Sequence, residues 1–160
     1  MIRRMNLEDA SAVLEIYKLG ILSGNATFES MVPSWQDWDL NHLQHFRYVF
    51  VEGREVLGWI ALSPVSARKV YQGVAEVSVY VLPGQHGRGI GFALMEKVIG
   101  ASEADGIWTL CSSVFPENVA TLRLHEKAGF RIIGYREKIA RLNNTWRNTL
   151  LLERRSKLIE

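Results

Sequence analysis

A glycine-rich turn between a predicted strand and a predicted helix carries the densest chemical signal in the chain. Its residues are Gln85, His86, Gly87, Arg88, Gly89, Ile90 and Gly91. Because glycine has no side chain, backbone N–H groups in such a turn can come close to a ligand. The start of the following helix adds unpaired N–H groups and the positive end of the helix dipole. The turn therefore predicts a site for an anionic group such as a pyrophosphate.

Three classes of ligand use glycine turns of this kind. A nucleoside triphosphate loop ends in Gly-Lys-Ser or Gly-Lys-Thr, and the chain has no such ending. A dinucleotide site needs GxGxxG in the first strand-helix-strand unit and an acidic residue after the next strand. This chain has GxGxG, and no suitable acid follows the predicted strand at 107–114. Coenzyme A is the third class, and a plain strand-to-helix connection is the structural alternative for the turn taken alone.

A second motif follows the turn, and the two together carry a family resemblance. Its residues run Asn118, Val119, Ala120, Thr121, Leu122, Arg123, Leu124, His125, Glu126, Lys127, Ala128, Gly129 and Phe130. Alone, it predicts an amphipathic helix that ends at a glycine cap. It resembles the NxxAxxLYxxxGF segment of the GNAT superfamily of N-acyltransferases, and residues 86–91 resemble that superfamily's (Gln/Arg)xxGx(Gly/Ala) element. His86 departs from the commonest pattern. The chain is identified as a member of this superfamily from the two elements in their correct order.

Several further segments resemble the phosphinothricin acetyltransferase branch of the superfamily. They are Thr27-Phe28-Glu29, Trp35, residues 75–81, Trp146 and residues 150–155. The resemblance implies an acetyl-CoA-dependent N-acetyltransferase. It would act on the primary amine of a small amino acid or analogue, of the phosphinothricin or methionine sulfoximine type. Transfer would be direct, through a ternary complex.

The same resemblance implies which residues bind acetyl-CoA. Residues 86–91 would surround the pyrophosphate with main-chain amides, and Asn118 would hold the pantetheine arm. Backbone groups of Val79, Tyr80 and Val81 would face the thioester, where amides near Val81 stabilise the charge that develops on the carbonyl oxygen. No metal is expected, because His42 and His45 have no carboxylate or cysteine partners.

Glu76 and His125 are the residues that the resemblance assigns to catalysis. An amine attacks a thioester only as the free base, so a general base assists by removing its proton. Glu76 lies in a predicted strand, where glutamate is uncommon, and relatives use the matching glutamate as the base. His125 stands where many relatives have a tyrosine that protonates the leaving thiolate. Histidine can donate a proton or can simply pack, and a CoA thiolate can also leave unaided.

A guanidinium fork is the natural partner of a substrate carboxylate. We expect Arg68 to supply it, with Phe28, Glu29 and Tyr71 as walls of the amine pocket. Two positions depart from the branch and put this contact in doubt. Gln72 stands where many relatives have an arginine, and Asn148 stands where they often have an aspartate.

The elements that position these residues follow from apolar spacing. Strands are predicted at 2–5, 48–51, 56–62, 74–82, 107–114, 132–140 and 145–153, the last two joined at Asn143 and Asn144. Helices are predicted after Asn6, at 35–46, after the glycine turn and at 118–128. Residues 63–73 are predicted to be irregular, because Pro64 cannot occupy a central strand. In the fourth strand, Val77, Val79 and Val81 point to one face, opposite to Glu76 and Tyr80.

This order predicts a mixed α/β sheet with parallel pairing where helices intervene. With the resemblance, the expectation becomes a single N-acetyltransferase domain over residues 1–160. Its sheet would be mostly antiparallel and flanked by helices, with a splayed parallel strand pair that binds CoA.

Composition narrows the classes of partner. The net charge is +2 and the basic residues are dispersed along the chain, which argues against a basic surface that binds nucleic acid. No apolar run is long enough to span a membrane. Cys111 is the only cysteine, so no internal disulfide forms, which suits the cytoplasm. We expect a homodimer with a small-molecule amine substrate. The alternatives are another amine (a protein N-terminus or a polyamine) and a CoA-binding module without turnover.

Overall fold

The computed structural model describes residues 1–160 and contains seven strands and four α-helices. The strands are β1 (Ile2–Arg4), β2 (Tyr48–Glu52), β3 (Glu55–Pro64), β4 (Val74–Val81), β5 (Thr109–Val114), β6 (Arg131–Leu142) and β7 (Thr145–Arg155). The helices are α1 (Ala10–Leu22), α2 (Trp35–Asn41), α3 (Ile90–Ala104) and α4 (Val119–Lys127). Short 3₁₀ turns cover Leu7–Asp9 and Lys69–Tyr71.

All strands form one sheet in the order β1-β2-β3-β4-β5-β7-β6. Every neighbouring pair is antiparallel except β4 and β5, which α3 connects as a parallel crossover. These two strands pair only from Val74 with Thr109 to Glu76 with Cys111. Beyond that point each strand continues and the two diverge. The mixed, mostly antiparallel sheet with a splayed parallel pair is therefore confirmed.

The expectation that strands separated by helices pair in parallel is wrong elsewhere in the sheet. Helix α4 lies between β5 and β6 in the chain, yet β7 inserts between these strands and pairs antiparallel with both. Helices α1 and α2 separate β1 from β2, which are also antiparallel neighbours. The spacing of apolar residues predicts a helix between two strands, but the position of the second strand in the sheet depends on the other strands.

Two apolar cores lie on opposite faces of the sheet, as alternation along the strands requires. One face packs Ile60, Leu62 and Val77 against Leu94 and neighbouring residues of α3. The other face packs further side chains against α1 and α2; they are Val13, Ile16, Trp38, Val49, Val51, Trp59 and Ala61. Because adjacent residues of β3 and β4 alternate between the two cores, the centre of the sheet is held from both sides.

Two predicted boundaries are wrong. Helix α2 begins after its cap Ser34, whose side chain accepts the N–H of Asp37 at 3.2 Å, but it ends at Asn41 and not at residue 46. His42 is extended, and Phe46 has a φ of 66°, which no helix allows. Pro64 is the last residue of β3, opposite Ala75, because a proline at a strand end removes no interior ladder hydrogen bond.

The hairpin between β6 and β7 forms as predicted. Asn143 and Asn144 have φ values of 49° and 63°, the left-handed backbone that a two-residue hairpin turn needs. Among the helices of the structure, none combines the length and the apolar character needed to cross a lipid bilayer.

Candidate active site

A cleft of about 1310 Å³ opens where β4 and β5 diverge. The end of β4, the glycine turn, the start of α4 and the loop between α1 and α2 form its walls. The structure brings most of the predicted site residues to this cleft: Phe28, Glu29, Glu76, Val79, Tyr80, Val81, His86, Gly87, Gly89, Ile90, Gly91, Asn118 and His125. Three predicted residues, Arg68, Tyr71 and Arg88, do not line it.

The glycine turn presents its backbone to the cleft. Gly87 and Gly89 both have a φ of 79°, which other residues adopt only with strain. A Cβ at either position would meet no protein atom within 4 Å. None of the backbone N–H groups of residues 86–89 donates to a backbone carbonyl. Unpaired N–H groups beside the start of α3 fit a diphosphate, as the sequence predicts.

The side chains of the turn point to other partners. Nε2 of His86 lies 3.1 Å from the carbonyl oxygen of Val81, so the ring folds back onto the end of β4. The Arg88 guanidinium donates to Oε2 of Glu52 at 2.6 Å and to Gln85. Arg88 can therefore contribute only its backbone to an anion in the cleft.

The edge of β4 also offers backbone N–H groups. Two hydrogen bonds show which side of β4 each residue faces. The N–H of Leu82 donates to the carbonyl oxygen of Leu57 in β3 at 2.8 Å, so Leu82 faces β3. The carbonyl oxygen of Gly73 accepts the N–H of Thr109 at 3.1 Å, so Gly73 faces β5. Alternation along a strand then places the N–H groups of Val79 and Val81 on the side of β5. Because β5 has diverged there, these two N–H groups face the cleft and can meet a carbonyl oxygen.

Asn118 joins the two sides of the cleft. Its Oδ1 accepts the N–H of Thr121 at 3.3 Å and so caps α4. Its Nδ2 donates to the carbonyl oxygen of Asn25 at 3.1 Å. An asparagine amide has two N–H donors and two acceptor lone pairs. One donor and one lone pair therefore remain for a ligand such as pantetheine.

Glu76 lies at the last position of β4 that pairs with β5, where the cleft begins. It is accessible from the cleft, and no basic side chain lies within 4 Å of its carboxylate. The walls of the cleft displace part of the water around it. Although Glu76 is still exposed to the open cleft, this partial loss of water raises the pKa of its carboxyl above its usual range. An unpaired carboxylate with a raised pKa is well suited to accept a proton near neutral pH.

His125 is almost completely buried, at 2% exposure, and packs edge-on against Phe130. Its Nδ1 lies 2.7 Å from the carbonyl oxygen of Thr121. Because a carbonyl oxygen only accepts, Nδ1 must carry the proton of the neutral ring. Burial lowers the pKa of His125, so the ring is neutral near pH 7 and its Nε2, which has no partner, bears no proton. The geometry therefore does not support the predicted role of catalytic acid.

The side of the cleft opposite the glycine turn is aromatic. Phe28 contacts Phe115 edge-to-face with a centroid distance of 4.8 Å. Tyr17 and Tyr80 stack at 5.0 Å, and burial raises the pKa of both phenols, which therefore stay protonated. Glu29 completes this wall. We call these residues, with Phe115, the aromatic wall.

Arg68 and Tyr71 lie together on the loop between β3 and β4. The Arg68 guanidinium lies 5.6 Å from the Tyr71 ring centroid, and both residues are exposed. The structure thus does not bring the predicted carboxylate partner into the cleft, although Ser63 and Glu76 at the two ends of that loop line it.

Sequence reasoning missed the contacts that hold the aromatic wall in place. Arg147 of β7 reaches the loop between α1 and α2, more than 120 positions away in the chain. Tyr17 of α1 meets Tyr80 of β4 because Gly20, one turn further along α1, leaves room for the Tyr80 ring. No local spacing indicates either contact, because both depend on how distant elements pack.

Comparisons with known proteins identify the family to which the chain belongs. The chain matches the acetyltransferase (GNAT) family over residues 13–130. It is 31% identical to a phosphinothricin N-acetyltransferase of Streptomyces coelicolor, over 87% of this chain and 86% of that protein. A methionine sulfoximine and methionine sulfone acetyltransferase of Pseudomonas aeruginosa is 29% identical over 58% of this chain and 54% of its own.

The fold has close counterparts among solved structures. A phosphinothricin acetyltransferase of Sinorhizobium meliloti, solved in complex with acetyl-CoA, superposes with a TM-score of 0.88. The match covers 97% of this chain and 87% of that one at 24% sequence identity, so it bears on the fold.

The chain therefore belongs to the acetyltransferase (GNAT) family. It is an acyltransferase that uses acetyl-CoA as acyl donor, and the unpaired N–H groups of residues 86–89 fit the diphosphate of that molecule. No group of three or more His, Cys, Asp or Glu side chains is placed to hold a metal ion.

Proposed function

We propose that the chain transfers the acetyl group of acetyl-CoA directly to the primary amine of a small molecule, in a ternary complex with Glu76 as the general base. The observation that carries this proposal is the unpaired Glu76 carboxylate, which lies in the cleft between the glycine turn and the aromatic wall. A base in that position can reach an amine that approaches from the aromatic wall.

The residues divide the reaction between them. Glu76 accepts the proton of the amine, directly or through water, so that the nitrogen can bond to the carbonyl carbon of the thioester. The N–H groups of Val79 and Val81 stabilise the negative charge that develops on the carbonyl oxygen. The nitrogen, which is positively charged once it has bonded to the carbon, releases its remaining extra proton to water. The carbon–sulfur bond then breaks, and the CoA thiolate leaves without a proton from His125.

Direct transfer is favoured over a covalent enzyme intermediate. Cys111 lies opposite Glu76 on β5 and is the only thiol of the chain. Burial raises the pKa of Cys111, and the nearby carboxylates of Glu153 and Glu76 raise it further. Because only the thiolate is a good nucleophile, this cysteine is poorly suited to carry the acetyl group.

The first candidate substrates are small amino acids and their analogues, of the phosphinothricin or methionine sulfoximine type. Their support is the 31% identity to the Streptomyces coelicolor enzyme over most of both chains, together with the compact aromatic wall. Arg68, the carboxylate partner predicted for such a substrate, lies outside the cleft, so it could bind the carboxylate only if the loop between β3 and β4 moved.

A cationic amine is the second candidate, because no lysine or arginine lines the cleft. Glu29, Asp37 and Glu76 line it without an ion-pair partner, and Glu117 lines it while paired with Arg147. Carboxylates around a cleft favour a substrate with positive charge and disfavour a free carboxylate. A diamine or a decarboxylated amino acid would suit this lining.

We also propose that the protein works as a homodimer in the cytoplasm. Strand β6 is the edge of the sheet, and its exposed apolar side chains are Ile132, Ile133, Tyr135 and Ile139. Charged residues interrupt this strand, but exposed apolar side chains at an unpaired sheet edge still favour pairing with another chain. A second copy would cover this edge. The chain has one cysteine and so can form no internal disulfide, which suits the cytoplasm. Sedimentation of the purified protein would decide between monomer and dimer.

A panel of amines tests the chemistry and the substrate together. Thiol release from acetyl-CoA would be followed with phosphinothricin, methionine sulfoximine, the free amino acids, their decarboxylated amines and short diamines. Activity with the free acids only would support the first candidate, and activity with the amines and diamines only would support the second. If no amine releases thiol above background, the proposed reaction is wrong.

A further inference from the structure

Arg147 makes several contacts far from its own strand. Its Nη1 donates to the carbonyl oxygen of Gly24 at 2.8 Å, and its Nη2 donates to Oδ1 of Asn25 at 2.7 Å. Nη2 also lies 3.3 Å from Oε2 of Glu117. Only 14% of the side chain is exposed, so these contacts are shielded from water on most sides. A guanidinium with its fork on two neighbouring residues fixes their position as well as their distance.

The same guanidinium reaches Phe28 by a second route. It lies 4.1 Å from the ring centroid of Phe115, which is buried at 4% exposure. Phe115 in turn contacts Phe28 edge-to-face. Arg147 therefore holds both ends of the segment from Gly24 to Phe28, one through backbone and side-chain oxygens and the other through an aromatic ring.

Asn25 accepts hydrogen bonds from two different elements. Its side chain accepts from Arg147, and its backbone carbonyl accepts from Nδ2 of Asn118 at 3.1 Å. Asn118 is also the cap of α4, on the acetyl-CoA side of the cleft. The loop that carries the aromatic wall is thereby attached to the element that begins the other half of the site.

We propose that Arg147 is a positioning residue that fixes the loop from Gly24 to Glu29, and with it Phe28, at the amine side of the cleft. This inference rests on the proposed function, because it assigns Phe28 to amine binding. Arg147 touches neither the glycine turn nor Glu76. Its loss should therefore weaken amine binding and spare both acetyl-CoA binding and the chemical step.

Two matched variants separate this role from a general loss of stability. Arg147→Met keeps a long side chain over Phe115 but removes every donor. Arg141→Met is the control, because Arg141 also lies over an aromatic ring, 4.5 Å from the centroid of Trp146, but makes no contact with the cleft. Arg147→Lys keeps one charged donor without the fork and serves if the methionine variant does not fold.

The first measurement is hydrogen exchange, which needs no substrate. We expect peptides that cover residues 23–34 to exchange faster in Arg147→Met than in the wild type or the control, with the glycine turn unchanged. The second measurement is steady-state kinetics with the best amine. We expect KM for the amine to rise about ten- to a hundredfold, the usual effect of losing charge-assisted hydrogen bonds. The kcat and the KM for acetyl-CoA should stay within about twofold of wild type, because Arg147 contacts no group that binds acetyl-CoA, and Asn118, although it also bonds to the loop, is held in place as the cap of α4.

Arg147→Lys should fall between the wild type and Arg147→Met in both measurements. Unchanged exchange over residues 23–34 would overturn the inference, and so would a uniform change in all kinetic constants that Arg141→Met shares. If the wild type acetylates no amine, the proposed function fails on its own, and the exchange measurement still decides whether Arg147 fixes the loop.

Discussion

The two sides of the cleft are built from different parts of the polypeptide. On the acetyl-CoA side, the groups available to the ligand are mainly backbone N–H groups of residues 86–89 and of β4, which are neighbours in the chain, together with the Asn118 side chain at the start of α4. On the amine side, the contacts are side chains from the loop after α1, from β4, from the turn after β5 and from β7. The first side requires one local backbone conformation, and the second requires several distant elements to pack correctly.

Because of this difference, the acetyl-CoA side should tolerate substitutions that would alter amine binding on the other side. A backbone N–H group is present whatever the side chain, so we expect exchanges of the non-glycine residues of the turn, such as His86, to spare the diphosphate site. Each contact of the aromatic wall depends on a particular side chain, so single substitutions there can change the amine. Glu76 lies at the boundary between the two sides, where the pairing of β4 with β5 ends.

Replacing Glu76 by glutamine should have the largest effect and should separate the two sides cleanly. Glu76→Gln keeps the shape of the side chain but cannot accept the proton, so we expect kcat at pH 7 to fall by about 10²–10⁴. Calorimetry should show unchanged acetyl-CoA binding, and Glu137→Gln on the exposed edge strand is the control. Near wild-type turnover in Glu76→Gln would exclude Glu76 as the base.

The pH dependence follows from the raised pKa of Glu76. The carboxylate is the active form, so wild-type activity should decline as the pH falls through this raised pKa. At high pH the amine loses its proton without help, and the difference between wild type and Glu76→Gln should shrink. A rate profile from pH 5 to pH 10 with both proteins would measure this convergence.

A valine at position 89 should disable the acetyl-CoA side alone. A side chain there would stand where the backbone must approach the diphosphate, and we expect acetyl-CoA affinity to fall about ten- to a hundredfold. Gly106→Val is the matched control, because Gly106 also has a positive φ, of 90°, with open space around its Cβ position, yet lies outside the cleft. Both variants carry the same kind of backbone strain. Equal affinities in the two variants would contradict a diphosphate site at the turn.

The acetyl-CoA side could be predicted from the sequence because its signals are local. Glycine spacing, a strand before it and a helix after it define the turn, and Asn118 caps the next helix at a fixed distance along the chain. The aromatic wall could be predicted only in part. Phe28 and Glu29 were found through a family resemblance, whereas Arg147 has no local signal, because its partners are 30, 122 and 123 positions away.

The fold shows the same limit. Alternation along β4 predicts its two faces, and α3 predicts the parallel crossover. The insertion of β7 between β5 and β6 has no local signal, because each of these strands has the same apolar pattern whichever neighbour it takes. The early end of α2 is accompanied by more local contacts, in which the Arg47 guanidinium donates to the carbonyl oxygens of Asp39 and His42, eight and five positions earlier in the chain.

His125 lies on the acetyl-CoA side, yet we expect only a small effect from its loss. His125→Gln keeps a donor that can reach the carbonyl of Thr121, and the ring that it replaces has no proton on Nε2 to give. We therefore expect kcat to fall less than about tenfold, below the range typical of a true acid catalyst. Steady-state rates from pH 6 to pH 9 would check this. A loss of a hundredfold or more would instead restore His125 as the acid.

Arg68→Ala should have the smallest effect, and it tests whether Arg68 binds the carboxylate of an amino-acid substrate. Arg68 lies outside the cleft, on the exposed loop that ends near Glu76, and its visible partner is Tyr71. From this placement we expect kcat/KM to change less than about twofold, both for an amino acid and for its decarboxylated amine, in line with the small effect of most exposed charges. The two substrates would be compared with both proteins. A loss of about ten- to a hundredfold that is confined to the amino acid would match the value of one charge-assisted carboxylate contact. That result would mean that the loop carries Arg68 to the cleft when substrate binds, and the amine side would then depend on one more distant element.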